Sequence, residues 1–556
     1  MRRLFLNAAA AVGLVIAAGS TAPTPSVAAA SATDDSSTRS GSSRAEPTDD
    51  KTIVHTLNRL GFGPRPGDVA KVRELGLQRY IDQQLHPERV GDPSVDPRLA
   101  GLTTIGMSSR EIATRFEIPQ LEARRQRQQQ GRQNSAEAQP PPPTPEMQRR
   151  NNQTIVELSE HKLLRAIYSE RQLQEVLTDF WFNHFNVDAR KGRDRFLLTE
   201  YEREAIRPHV LGKFRDLLGA TAKSPAMLFY LDNWMSADPG GPHPVARGVA
   251  RPRFGRPGSG RRIVVPGAGQ QNQQGNRQKR GLNENYAREL MELHTLGVDG
   301  GFTQKDVTEV ARAFTGWTID NPRQGASYKF DARLHDPGEK IVLGHRIKAD
   351  GDERDGEQVL DILARHPATS RFIATKLVRR FVSDMPPAPL VERAAARFRE
   401  TDGDLREIVR TIVTSPEFFA AEAYRAKVKT PFEFIVSAAR ATGAEVEDAA
   451  PLVRALQQLG MPLYGCQPPT GYKDSADAWV NTGALVNRMN IALALSTNQM
   501  RGIRIDPVES TGDSDSLIAK LVNGEVSAST RATIARAATK PQVAALTLGS
   551  PEFQRK

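Results

Sequence analysis

Apolar residues recur at intervals of three and four along most of the chain, the spacing that places them on one face of an α-helix. Between residues 172 and 187 the remaining faces are largely apolar too, so a deeply buried helix is expected there. Similar periodicity predicts helices over residues 284–296, from Thr303 onward, and over 368–382, 388–400, 403–415, 428–442 and 479–498. Asn283 is placed to cap the first of these helices, and Thr303 and Asp306 are placed to form a capping box at the start of the second. The pattern therefore favours an all-α fold, a large multi-helix globular body.

One region between these helices lacks the helical period. From Gly316 to Ile347 the chain contains turn residues and short β-type runs, such as Ser327 to Phe330 and Ile341 to Leu343. We expect a long loop with one small β-hairpin here. Long structured loops often contain functional residues.

The first fifty residues have the composition of a targeting segment. Arg2 and Arg3 precede an apolar run, and small residues follow it, as in a secretory signal peptide over 1–32 with a disordered tail over 33–50. The paired arginines favour twin-arginine export, and an ordinary secretory signal is the alternative. No later segment is apolar over the about 20 residues that span a bilayer. We therefore expect an exported protein, periplasmic or extracellular, without a transmembrane segment.

The formal net charge of +11 is concentrated in two low-complexity insertions, 121–150 and 236–280. Their Arg, Gln, Gly and Pro content predicts disorder, because little apolar surface is available for burial. Solvated basic loops are the simplest interpretation, and tethering to an anionic cell-envelope polymer is the functional alternative. Export and the lack of interleaved aromatic residues argue against nucleic-acid binding.

The rest of the chain is long enough for one large or two ordinary domains. We expect a helical body over 51–500, interrupted by the two insertions, and a C-terminal helical extension over 501–556. The single cysteine, Cys466, excludes a disulfide within the chain.

Several segments resemble a bacterial family catalogued as domain of unknown function 1800. The strongest match is Leu282 to Gly297, running on to Phe314-Thr315-Gly316-Trp317. Supporting segments are Leu57 to Gly63, Phe180 to Phe185, His335-Asp336 with Lys340, and Gly483-Ala484-Leu485 before Arg488. One departure is Gly471-Tyr472-Lys473-Asp474, where many members have Gly-Trp and a glycine-rich turn. The resemblance implies a secreted or periplasmic helical domain and no particular reaction.

Candidate chemistry is concentrated first on the predicted helix 284–296. The sequence contains no nucleophile elbow, Walker loop, dinucleotide fingerprint or His-Glu-x-x-His motif. Asn285, Arg288, Glu289 and Glu292 fall on one side of this helix, and two carboxylates one turn apart can share a proton or act as acid and base. The alternative is a solvated face with an Arg288–Glu292 ion pair.

The remaining candidates are histidines and one aspartate. His184 falls on an apolar helix face, and His335-Asp336 lies in the long loop. The simpler interpretations are a hydrogen-bonded core histidine and an ordinary turn before Pro337. If His184, Glu289 and His335 converged, two imidazoles and a carboxylate would form a site for a divalent metal, with Asp336 as a further catalytic candidate.

Two functions fit these observations. The first is a periplasmic or extracellular hydrolase-like enzyme with carboxylate and histidine chemistry. The second is a non-catalytic cell-envelope protein that binds a partner protein or a polysaccharide.

Overall fold

Helices make up most of the chain in the computed structural model, which describes residues 49–134, 144–241, 281–321, 327–505 and 513–556. These residues belong to one compact unit. The predicted signal peptide and nearly all of the predicted tail lie outside them. The all-α prediction is confirmed, and the predicted helices are found with bounds shifted by a few residues.

The first half of the chain supplies thirteen of the helices in the described ranges. They are α1 (Asp50–Leu60), α2 (Asp68–Leu75), α3 (Leu77–Leu85), α4 (Asp96–Leu99), α5 (Ser109–Ile112), α6 (Ile118–Asn134), α7 (Pro145–Tyr168), α8 (Gln172–His184), α9 (Leu198–Glu200), α10 (Phe214–Lys223), α11 (Pro225–Tyr230), α12 (Glu284–Glu289) and α13 (Gln304–Ala313). Three π-helical segments occur, at Ala113–Glu117, Tyr201–Ile206 and Leu290–Thr295. The last of these continues α12, so the predicted helix 284–296 changes from α to π geometry after one and a half turns.

The second half contains the other helices. They are α14 (Glu353–Arg365), α15 (Pro367–Phe381), α16 (Ala388–Glu400), α17 (Leu405–Val413), α18 (Pro416–Phe419), α19 (Pro431–Thr442), α20 (Ala450–Gln458), α21 (Thr482–Ser496), α22 (Ser514–Val522), α23 (Ala528–Ile534), α24 (Lys540–Leu548) and α25 (Pro551–Gln554). Among the described residues no helix is long and apolar enough to cross a membrane.

Six short strands form three antiparallel pairs in the described chain. Trp317–Ile319 (β1) pairs with Tyr328–Phe330 (β2), Lys340–Val342 (β3) pairs with His345–Ile347 (β4), and Glu445–Val446 (β5) pairs with Ile503–Arg504 (β6). The first two pairs lie in the region where the sequence predicted one hairpin.

Helix α8 lies in the core because nearly every face of it is apolar. Leu173, Leu177 and Trp181 are completely buried. The helix packs against α7 and the π-helical segment Tyr201–Ile206, while α15 packs against α16, α17 and the π-helical segment Leu290–Thr295. His184, the last residue of α8, contacts both that π-helical segment and α15.

The predicted first insertion, 121–150, is helical at both of its ends: α6 extends to Asn134 and α7 begins at Pro145. Gln, Arg, Glu and Ala are good helix formers, which explains why this composition is compatible with helices. Residues 135–143 and 242–280 lie outside the described chain.

The segment 501–556 is helical, as predicted, and packs on the body. Val428 and Arg555 form an isolated antiparallel bridge, and α24 packs against α21. The end of the chain therefore lies beside the segment that leads into α19.

Candidate functional site

The polar face of α12 is held in part by contacts at the start of the helix. Asn283 caps the helix by accepting hydrogen bonds from the backbone N–H groups of Asn285 and Tyr286, as its position predicted. Asn285 is exposed, and Arg288 donates to Gln304 Oε1 at 2.7 Å instead of pairing with Glu292. These contacts fix the start of α12 against α13.

Glu289 and Glu292 are half-buried and have no hydrogen bond or ion pair to any described residue. Burial raises the pKa of Glu289, the nearby charge of Glu292 raises it further, and Arg288 opposes the change. The rise in the pKa of Glu289 therefore follows mainly from partial desolvation of its carboxyl group. The carboxylate is thus poorly stabilised in its charged form.

His335 and Asp336 fix the long loop. His335 is buried, with Nδ1 at 2.8 Å from the Thr315 carbonyl oxygen and Nε2 at 3.3 Å from Asp355 Oδ2. Asp336 accepts two hydrogen bonds from Arg312, at 2.7 and 3.1 Å. Burial opposes ionisation of Asp336, but these hydrogen bonds outweigh it and its pKa is lowered. The loop therefore uses both residues for its own structure.

The predicted metal site of His184, Glu289 and His335 is wrong. Within the described ranges, no group of three or more His, Cys, Asp or Glu side chains is placed to hold a metal ion. The physical reason is that the two imidazoles already have partners in separate networks. His335 contacts Thr315 and Asp355, whereas His184 contacts the His294 carbonyl and Lys376.

His184 lies at the wall of a cavity of about 430 Å³ at the C-terminal end of α8. Its Nε2 is 3.1 Å from the carbonyl oxygen of His294, and its Nδ1 is 2.8 Å from Lys376 Nζ. A carbonyl only accepts, so Nε2 carries the proton and Nδ1 accepts from the amine. The three groups form a chain from carbonyl to imidazole to amine, which we call the Lys376–His184 pair.

Burial changes the pKa of both members of the pair. Desolvation lowers the pKa of His184 well below its usual value, and the positive charge of Lys376 adds to this. Desolvation also lowers the pKa of Lys376 to about 8, although Asp474 favours its charged form. The imidazole is therefore neutral and the amine titrates close to neutral pH.

The other wall of the cavity is the segment 470–475, which includes the departure from the family pattern. Asn183 Nδ2 donates to the Tyr472 carbonyl at 2.8 Å, and the Tyr472 N–H donates to Asn183 Oδ1 at 2.7 Å. Gly471 has φ of 72°, and a Cβ there would lie 2.2 Å from the Asn183 carbonyl oxygen. Only glycine fits this close approach.

Charged groups complete the cavity. Arg379 lines it with no hydrogen bond or ion pair to the described residues, whereas Asp384 and Asp474 both contact the buried Lys427, at 2.6 and 3.0 Å. Lys473 also lines the cavity, with an exposed side chain that pairs with Asp477 at 3.8 Å. Since Lys427 neutralises part of the acidic charge, Lys376 and Arg379 are the less exposed cations that can face a ligand.

Only one of the predicted site residues, His184, lines this cavity. The sequence reasoning missed Lys376, Arg379 and Asp384. A signal was present: Lys376 lies one position before the fully buried Leu377 and three after the fully buried Ile373. A charged residue at such a helix position indicates a paired or functional group.

The fold and the cavity define a helical protein with an amine–imidazole pair, and the comparisons place it in a family. A family model described as protein of unknown function (DUF1800) matches residues 55–555. The chain belongs to this family, and the match extends to residue 555, through nearly all of the predicted C-terminal extension. Neither the curated proteins nor the solved structures contain a match.

Proposed function

We propose that this protein is an exported hydrolase-like enzyme whose general base is Lys376, oriented by His184. The observation that carries the proposal is the chain of hydrogen bonds from the His294 carbonyl through His184 to Lys376, at a cavity wall. It replaces the carboxylate base expected from Glu289 by an amine.

The chemistry follows from the protonation states. With a pKa of about 8, about a tenth of the Lys376 side chains carry a neutral amine at pH 7, compared with well under a thousandth for an ordinary lysine. A neutral amine can take a proton from water, which then attacks an electrophilic carbon or phosphorus atom. The resulting ammonium returns that proton to the leaving group.

Arg379 supplies the complementary group in this proposal. It lines the same cavity, and among the described residues it has no partner that occupies its guanidinium. A guanidinium so placed can hold a negatively charged group of a substrate or stabilise the oxyanion that develops during hydrolysis. The proposed substrate is therefore an ester, amide or phosphoester that bears negative charge.

The test is hydrolysis of a panel of aryl esters, aryl amides and aryl phosphates by the full-length mature protein. We expect turnover of at least one class and a loss of about a hundredfold or more in kcat/KM for Lys376→Met, the usual size of a general-base contribution. Lys473→Met is the matched control, since Lys473 lines the same cavity with 73% of its side chain exposed.

Equal turnover by wild type and Lys376→Met would overturn the proposal, as would a lack of turnover by the wild type across the panel. The alternative of a non-catalytic envelope-binding protein would then stand. It rests on the basic composition of the insertions, and co-sedimentation with an anionic envelope polymer would support it.

A further inference from the structure

A second cavity, of about 470 Å³, lies on another part of the molecule and is strongly basic. It is enclosed by α1, the segment that leads into α19, and the C-terminal segment with α22 and α25. Seven of its lining side chains are basic and two are acidic. The two acidic groups, Asp50 and Glu552, are engaged by Arg73 and by Ser527 and Thr530. The cavity therefore presents a surplus of positive charge.

Lys429 is the unusual residue of this wall. Its side chain is 4% exposed, and Nζ lies 3.8 Å from the centre of the Phe553 ring. Among the described residues this nitrogen forms no hydrogen bond and no ion pair. A buried ammonium without an acceptor is costly, and proteins normally pair or coordinate such a group.

Glu433, the carboxylate whose charge acts on Lys429, is already engaged by other groups. It accepts from Arg380, from Lys556 and from the backbone N–H of Thr430. Its single negative charge is therefore shared between two cations before Lys429 is counted. Lys429 is left without an anionic partner of its own among the described side chains.

We propose that this cavity is a binding site for a small ligand with a phosphate-type oxyanion, held by Lys429. A lysine ammonium is a common partner for phosphate oxygens, and the charge-assisted hydrogen bond would be formed in a nearly dry environment. Lys520 and Arg555 line the same cavity with exposed side chains and supply further positive charge for the ligand's approach. The cavity exceeds the size of phosphate alone, so the ligand extends beyond its oxyanion.

The proposal also predicts how binding depends on pH. Burial lowers the pKa of Lys429 to about 7, Glu433 opposes that change, and Lys556, Arg425 and Arg488 add to it. Only the protonated amine binds an anion well. The contribution of Lys429 to the affinity is therefore highest below pH 7 and falls as the pH rises above it.

The experiment is calorimetric titration of the full mature protein with inorganic phosphate at pH 6 and pH 8, together with thermal unfolding. At pH 6 we expect a phosphate-dependent rise in Tm and at least a tenfold loss of affinity in Lys429→Met, and at pH 8 a smaller difference between the two proteins. Lys348→Met is the control, because Lys348 is exposed and does not line this cavity. Without phosphate, Lys429→Met should be at least as stable as the wild type, since an unpaired buried charge is removed.

Phosphate binding of equal strength by wild type and Lys429→Met would overturn the proposal, as would a wild type that binds no phosphate. Vesicles with anionic headgroups form a second arm: Lys429-dependent co-sedimentation would assign the oxyanion to a lipid. Lys376→Met should retain the Lys429-dependent part of phosphate binding, because no residue lines both cavities, so this test is independent of the proposed hydrolase activity.

Discussion

His184 and His335 are both buried histidines in segments that resemble the family, yet their surroundings differ. The ring of His335 contacts a backbone carbonyl and Asp355, and Asp355 also binds Lys340 at 2.8 Å. The ring of His184 contacts a backbone carbonyl and a lysine at a cavity wall. The first cluster is closed and balances its charges internally, whereas the second has an amine that a ligand can reach.

The position of a histidine on a helix or in a loop therefore does not determine its role. The role depends on the group at the second ring nitrogen and on whether solvent or substrate reaches that group. Lys340 is completely buried and donates to two carbonyl oxygens besides Asp355, so all three N–H groups of its ammonium are used. Lys376 has one hydrogen-bond partner among the described residues.

The largest change in stability should come from removing the negative charge of the cluster of His335, Lys340 and Asp355. Asp355→Asn leaves the buried Lys340 without its counter-charge, so we expect the free energy of unfolding to fall by about 3 kcal/mol. Urea denaturation at pH 7 measures this. Asp352→Asn is the control: Asp352 caps α14, the helix that contains Asp355, and pairs with the exposed Arg354, and Asn is also a good cap, so the denaturation midpoint of this variant should be unchanged. Equal midpoints for the two variants would mean that the cluster is not a structural support.

A smaller effect, with a distinct pH dependence, is expected at the Lys376–His184 pair. The unfolded protein holds the Lys376 proton up to a pH near 10.5, whereas the folded protein releases it near 8. Below pH 8 the charged amine therefore destabilises the fold, and Lys376→Met should raise the free energy of unfolding by about 2 kcal/mol at pH 7. The difference in the free energy of unfolding between Lys376→Met and the wild type should become smaller as the pH rises from 8 to 10.5, because the wild type gains stability over that range.

Urea denaturation of both proteins at pH 7 and pH 10 checks this, with Lys473→Met as a control that shows no such narrowing. A gap of the same size at both pH values would show that the amine has an ordinary pKa, and the comparison between the two histidines would lose its basis.

Local patterns predicted much of the fold but little of the site. Asn283 as a helix cap and the capping box of Thr303 and Asp306 were read correctly, because caps depend on neighbouring residues. The Lys376–His184 pair joins residues 192 positions apart in sequence, and the contact of His184 with the His294 carbonyl spans 110. Spacing along one chain contains no information about such contacts. For the same reason the sequence suggested a metal site of His184, Glu289 and His335, whose side chains have different surroundings in the fold.

The smallest effect concerns Glu289, the carboxylate that the sequence favoured as catalytic. Its pKa is raised by burial and by Glu292, so ionisation at pH 7 costs the folded state stability. Glu289→Gln should therefore raise the free energy of unfolding by about 0.5 kcal/mol at pH 7. The gain should disappear in acid, where both the folded and the unfolded wild type are protonated. Asp299→Asn, an exposed carboxylate beyond the same helix, should change nothing. Turnover by Glu289→Gln should stay within about twofold of that of the wild type, because Glu289 does not line the cavity of Lys376. If this variant lost turnover while keeping its full stability, Glu289 would be the catalytic carboxylate after all, and Lys376 would be an amine without a chemical role.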